Sequence, residues 1–142
     1  MTTALRTPTH RMSPRLRYLP IGIAASVLQG LIMIPGYNDD GTWDNAWFSM
    51  LVMSLIVATV VFIFVVPNGG AVSALVLGIL SLLGAVAFWA MFSFPIAAGA
   101  GVLGLRARRE GSRRTMANVA LGLAAFAVAA TVAITIGDAI SN

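Results

Sequence analysis

Residues 71–105 read AVSALVLGILSLLGAVAFWAMFSFPIAAGAGVLGL, 35 positions without one charged side chain. As a single helix the run would be about 52 Å long, at 1.5 Å per residue, whereas the hydrocarbon core of a bilayer is about 30 Å thick. Two helices of about 17 residues each match that thickness. Pro95 has no backbone N–H and its ring clashes with the preceding turn, so it disturbs any helix that continues through it. The break is therefore expected within residues 88–95.

Composition points to a bilayer as the medium. The chain has 142 residues, 58% hydrophobic and 10% charged, with a mean hydropathy of +0.90. Soluble domains carry about 25% charged residues, and so few charges cannot coat a water-facing surface. Disordered chains are polar and poor in aliphatic residues, which excludes that class too. The nine basic residues are all Arg, and the net charge is +4. They sit in two short blocks between apolar runs, a pattern of topology control rather than nucleic-acid binding. Arg to the exclusion of Lys, with abundant Ala, Gly and Val, points to a GC-rich bacterial genome. The chain has no Cys, which excludes disulfides and thiolate ligands.

Charge also decides the number of crossings. By the positive-inside rule Arg106, Arg108, Arg109, Arg113 and Arg114 belong on the same side as Arg6, Arg11, Arg15 and Arg17 of the N-terminal tail. Four crossings before residue 106 achieve this; three would export five Arg. Spans are expected at about 18–36, 46–66, 71–88, 90–105 and 115–137. The expected fold class is all-α, a polytopic transmembrane helical bundle of about five spans with the N-terminus inside and the C-terminus outside. Residues 1–17 read as a disordered cytoplasmic tail and 18–142 as a single transmembrane domain. The first apolar run is long and no small-x-small site follows it, so it reads as an uncleaved signal anchor.

Turns and aromatic residues fit the same layout. Pro35-Gly36 should close the first span, and Pro67-Asn68-Gly69-Gly70 should turn the chain after the second. Tyr37, Trp43 and Trp47 flank an outer loop holding Asp39, Asp40 and Asp44. Phe88, Trp89, Phe92 and Phe94 surround the expected outer turn, and aromatic rings favour the headgroup zone. On this reading a cysteine at Ser93 is reached from outside by an impermeant thiol reagent, and one at Ser112 is not.

Few residues carry chemistry. Small residues recur at four-residue spacing: Ala74 and Gly78, Ser81 and Ala85, Ala97 and Gly101, Ala100 and Gly104, Asn118 and Gly122. In lipid no hydrophobic force joins helices, so close backbone approach supplies the contact. Gly78, Gly101, Gly104 and Gly122 are the candidate packing positions, within the monomer's own bundle or at a partner interface. The block Arg106, Arg108, Arg109, Arg113 and Arg114 is a candidate for contact with anionic lipid or a partner, with Glu110 as a local surface pair. Gln29 and Asn118 are the strongest polar groups inside expected spans. Gln29, with Ser26 one turn away on its face, reads as interhelical glue or a substrate contact, and Asn118, one turn from Arg114, reads as facing the headgroups. No ionisable residue falls within an expected span, whereas proton relays and most coupled transporters need them at membrane depth. His10 and the outer acids lie on opposite sides, which leaves no nucleophilic triad, and Asp39-Asp40-Gly41 lacks the ligand spacing of a high-affinity Ca²⁺ loop.

Three stretches carry a resemblance: residues 74–83 (ALVLGILSLL), residues 99–106 (GAGVLGLR) and residues 116–123 (MANVALGL). With them, residues 71–136 resemble a bacterial membrane domain of unknown function common in actinobacterial proteins. Its pattern is an Ala-rich run, a Gly-rich second helix ending in Arg, a short basic link and a third helix. Asn118 or Val119 stands where that pattern has Gly. The resemblance implies no catalytic residues and supports a hairpin over residues 71–105.

The expected function is that of a non-enzymatic accessory or scaffold subunit of a bacterial plasma-membrane complex. No cofactor or metal is expected, and the expected partners are anionic headgroups and other membrane subunits or a second copy. The alternative is a small oligomeric permease or lipid-handling protein, its path lined by Gln29, Ser54, Thr59 and Thr131.

Overall fold

The computed structural model describes residues 13, 15–37, 45–87, 92–111 and 113–141, with 35–37 and 45–46 described by backbone alone. Every regular element among the described residues is helical. Helix α1 is Leu19–Tyr37. Helix α2 runs without a break through Asn45–Val60, a π-helical turn Val61–Val65 and Val66–Asn68. Helix α3 is Ala71–Val86, α4 is Ser93–Arg109 and α5 is Arg114–Ser141. His10, Asp39, Asp40, Trp43, Asp44, Phe88, Trp89 and Ser112 lie outside the described residues, as does the tail before Ser13.

Residues 71–105 are thus two helices. α3 stops at Val86, after which Ala87 leaves helical conformation (φ −95°, ψ 51°). Pro95 does not end a helix; it sits third in α4. The first backbone N–H groups of a helix have no acceptor within it, so a proline there sacrifices no hydrogen bond. Two other prolines fall differently from expectation. α1 runs past Pro35 to Tyr37, and α2 runs past Pro67 to Asn68. Each lies in a last turn, where a single missing bond is tolerable. At the end of α2 the Asn68 side-chain amide donates to the Phe64 carbonyl at 3.1 Å, and the turn itself is Gly69-Gly70. Left-handed Gly111 (φ 71°) follows the end of α4, and its N–H donates back to the Arg108 carbonyl at 3.3 Å.

Contacts at the two ends set the topology. At one end Tyr18 and Ile21 share a groove with Arg106 and Arg109, and Ala71, Ala107 and Ala117 form one cluster. Here α1, α3 and α5 begin while α4 ends. At the other end the Trp47 indole N–H donates to the Gly30 carbonyl at 3.2 Å, and Gly84 faces the backbone of Ser93. Each helix therefore runs antiparallel to the next, in an up-and-down bundle.

The interior is built from small residues and the exterior from large ones. The main core joins Ala74, Ala97, Ala100, Ala120 and Ala124 with a few bulkier groups, Phe62 and Leu103 among them. Outside, Phe48, Phe64 and Phe126 are more than 60% exposed, with Leu28, Leu31, Leu83 and Ile136 also outward. Close approach explains the small interior. A Cβ on Gly78 would lie 3.3 Å from the Ala120 carbonyl oxygen, and one on Gly104 3.2 Å from that of Ala117. The Phe62 ring occupies the space that a Cβ on Gly22 would need. Two helices, Trp47–Asn68 and Arg114–Ser141, are long and apolar enough to cross a bilayer.

Gly78 and Gly104 thus pack between helices as expected, both against α5. Gly101 and Gly122 do not: a Cβ at either would meet nothing within 4 Å. The four-residue spacing cannot distinguish the inward face from the outward one, and Asn118, Val119 and Gly122 fall on the outward one. Replacing Gly78 with Ile should cost about 1–3 kcal/mol through overpacking and lower the unfolding temperature of the purified protein. Gly122→Ile should leave it within about a degree, since a surface change is worth at most about 0.5 kcal/mol.

Candidate functional site

The polar side chains inside the bundle converge on the start of α4. That start has no cap of its own: the residue before it is Phe92, whose side chain accepts nothing. Of the first-turn N–H groups, Pro95 lacks one and Ile96 donates to the Phe92 carbonyl at 3.4 Å. Phe94 is 5% exposed, so its N–H cannot turn to solvent. It donates instead to Oε1 of Gln29 on α1, at 3.1 Å. An orphaned donor here would cost about 1–3 kcal/mol. Gln29 therefore caps a helix far away in sequence, its carbonyl dipole set against the positive end of α4.

The amide nitrogen of Gln29 continues the network. Nε2 donates to Ser93 Oγ at 3.1 Å, and Ser93 Oγ lies 3.0 Å from Thr131 Oγ1 on α5. Thr131 spends its one proton on the Ala127 carbonyl, at 2.9 Å. Ser93 must then be the donor to Thr131 and the acceptor from Gln29. The result is a directional chain from the Gln29 amide through two hydroxyls to the Ala127 carbonyl, of the kind that strengthens cooperatively in a low dielectric. One turn later Thr135 donates to the Thr131 carbonyl at 2.8 Å.

A second, smaller junction lies one turn down α1. Ser26 Oγ donates to the Ser54 carbonyl of α2 at 3.3 Å. The Ser54 hydroxyl itself is buried without a partner among the described residues. Thr59, in contrast, is exposed and donates to its own helix at Leu55 O, 2.8 Å away. Gln29, Ser54, Thr59 and Thr131 consequently do not line one path: Gln29 and Thr131 meet through Ser93, and Thr59 faces outward.

The expected outer turn needs correction here. Ser93 is 0% exposed, so a cysteine there would be shielded from an aqueous reagent. Phe94 likewise belongs to the interior and not to an interfacial belt. Pro95 two positions on, within a first turn, was the available signal that Ser93 opens a helix. Nothing in a single sequence pairs it with Gln29 and Thr131.

The second feature is the basic end. Arg106, Arg108, Arg109, Arg113 and Arg114 are all exposed. Arg106 Nε pairs with Glu110 Oε1 at 3.0 Å, and its Nη1 reaches the Pro67 carbonyl at 3.5 Å, meeting an acceptor that the end of α2 leaves unpaired. The Arg17 guanidinium stands 5.9 Å from the Tyr18 ring centroid. Among the described residues no group of three or more His, Asp or Glu is placed to hold a metal ion. Comparison with protein-family models, with curated proteins and with solved structures returns no match, so these roles rest on the geometry of this chain.

Gln29→Leu removes one acceptor and two donors at once. It should destabilise the bundle by about 1–3 kcal/mol by stranding the Phe94 N–H, read as a lowered unfolding midpoint. Thr131→Val should cost less, about 1 kcal/mol, because the Ser93 hydroxyl keeps the Gln29 amide as a partner.

Proposed function

We propose that this chain is a five-span protein of a bacterial plasma membrane and serves as a non-enzymatic accessory or scaffold subunit of a larger complex. The observation that carries the membrane reading is the inverted distribution of side-chain size. Phe, Leu and Ile crowd the outside while Ala, Gly, Ser and Thr fill the inside. In water that arrangement would leave an apolar surface far beyond what a soluble monomer shows. In lipid it costs nothing, and it lets helices approach closely enough to attract one another.

The orientation follows from charge. Arg15 and Arg17 precede α1, and Arg106, Arg108, Arg109, Arg113 and Arg114 bracket the α4–α5 link, all at one end of the bundle. By the positive-inside rule this end is cytoplasmic. Asp138 and Ser141, in the last turns of α5, fall at the opposite end. The segment resembling a bacterial membrane domain of unknown function covers α3, α4 and most of α5.

The scaffold reading draws on the unfilled small-residue face. Between α1, α4 and α5 lies an apolar groove of about 590 Å³, bordered by Ala25, Leu28, Ala98, Ala125 and Ala129. Its shallow, methyl-lined walls suit the close approach of a helix from another subunit. Purification from native membrane in mild detergent should yield a complex of fixed composition. Ala98→Phe, which fills the groove, should release the partner while leaving the fold intact. A chain recovered as a partnerless monomer would defeat the scaffold reading.

Topology has its own test. A cysteine at Ser141 should react with an impermeant thiol reagent added to intact cells, and one at Thr115 should react only after the membrane is opened. Equal labelling of both from outside would overturn the orientation.

A further inference from the structure

We infer that the groove between the start of α1 and the end of α4 binds an anionic phospholipid, taking the headgroup at its rim and the upper acyl chain along its floor. The inference rests on the membrane reading above and adds a defined ligand site to it. The groove holds about 390 Å³. Arg106 and Arg109 stand on its rim, three residues apart and so on one helical face. Ile21, Val102 and Leu105 form its floor. Ile21 and Leu105 are 45% and 50% exposed, so the floor opens sideways onto the apolar exterior.

The two guanidinium groups are prepared differently. Glu110 holds Nε of Arg106, which orients the planar fork. Arg109 makes no hydrogen bond among the described residues, so its five donors are available for a phosphate, which guanidinium binds through paired hydrogen bonds. Arg17 above the Tyr18 ring adds positive charge on the α1 side. Two cations on the rim against the single Glu110 carboxylate leave a surplus that favours an anionic over a zwitterionic headgroup. A free anion would use the rim and leave the apolar floor idle; a phospholipid uses both. Arg108 and the link residue Arg113 do not line this groove, which separates a built site from general surface charge.

The test titrates the full chain in detergent micelles with phosphatidylglycerol, phosphatidylcholine or inorganic phosphate, counting bound lipid by native mass spectrometry. Phosphatidylglycerol should bind at least tenfold tighter than phosphatidylcholine, and millimolar inorganic phosphate should not displace it. R106Q/R109Q should weaken phosphatidylglycerol binding about thirtyfold. R108Q/R113Q removes the same charge outside the groove and should weaken it less than threefold. V102F keeps every charge but fills the floor, and should weaken it about tenfold. If R106Q/R109Q unfolds, R109Q alone decides, with an expected loss of about fivefold.

Equal losses in the two double variants, wild-type binding by V102F, or displacement by inorganic phosphate would each overturn the site. Alkaline carbonate washing of membranes keeps the two readings apart. A chain that stays in the washed membrane but shows any of those outcomes loses the groove alone. A chain stripped off by the wash loses the membrane reading, and the lipid site with it.

Discussion

The beginning of α4 is buried in an apolar bundle, and it cannot cap itself. Backbone donors in such surroundings must be satisfied from within the protein. The Phe92 side chain offers no cap and Pro95 has no N–H to donate, and the Phe94 N–H is met from outside the helix, by Gln29. The same side chain reaches Ser93, and through it Thr131. One glutamine thus joins α1 to the α3–α4–α5 unit. That unit needs little help internally, since glycine and alanine bring its axes together. α1 and α2 rely more on this polar joint and on the Ser26–Ser54 and Trp47–Gly30 bonds.

A directional chain of hydrogen bonds also imposes register. The amide oxygen of Gln29 faces the Phe94 N–H and its nitrogen the Ser93 hydroxyl, so flipping the group would oppose donor to donor at Phe94 and draw the Ser93 proton away from Thr131. Dispersion contacts between Ala-lined helices tolerate sliding and rotation far better than this. The small residues therefore provide proximity, and the polar chain selects one arrangement among the many that proximity allows.

Much of the architecture was legible in the sequence, and the reasons are physical. An uncharged run of 35 residues is longer than one bilayer-sized helix, and it is indeed divided into two helices, Ala71–Val86 and Ser93–Arg109. Gln29 and Ser26 stood out because amides and hydroxyls are rare and expensive in apolar helices. The partners were not legible. Ser93 looked like a turn residue because local context placed it beside a proline and among aromatic rings, whereas its burial depends on α1 and α5, 64 and 38 residues away. Gly101 and Gly122 failed for a related reason: spacing reveals a helical face but not which way that face looks. Ala120 against Gly78 of α3 and Ala117 against Gly104 of α4 carry the packing that Asn118 and Val119 do not.

The π-helical turn in α2 has a bearing on how this chain can change length. Such a turn accommodates one residue more than the α-helical turn it replaces, so the flanking segments keep their faces: Ser54 and Ala58 look inward before it, and Val66 after it. Losing a residue elsewhere in α2 would swing everything downstream by about 100°. Losing one between Val61 and Val65 would instead be absorbed as the bulge relaxes to ordinary helix. The second helix thus carries its slack at one point, the position in this membrane-sized element where a one-residue deletion disturbs neither flank.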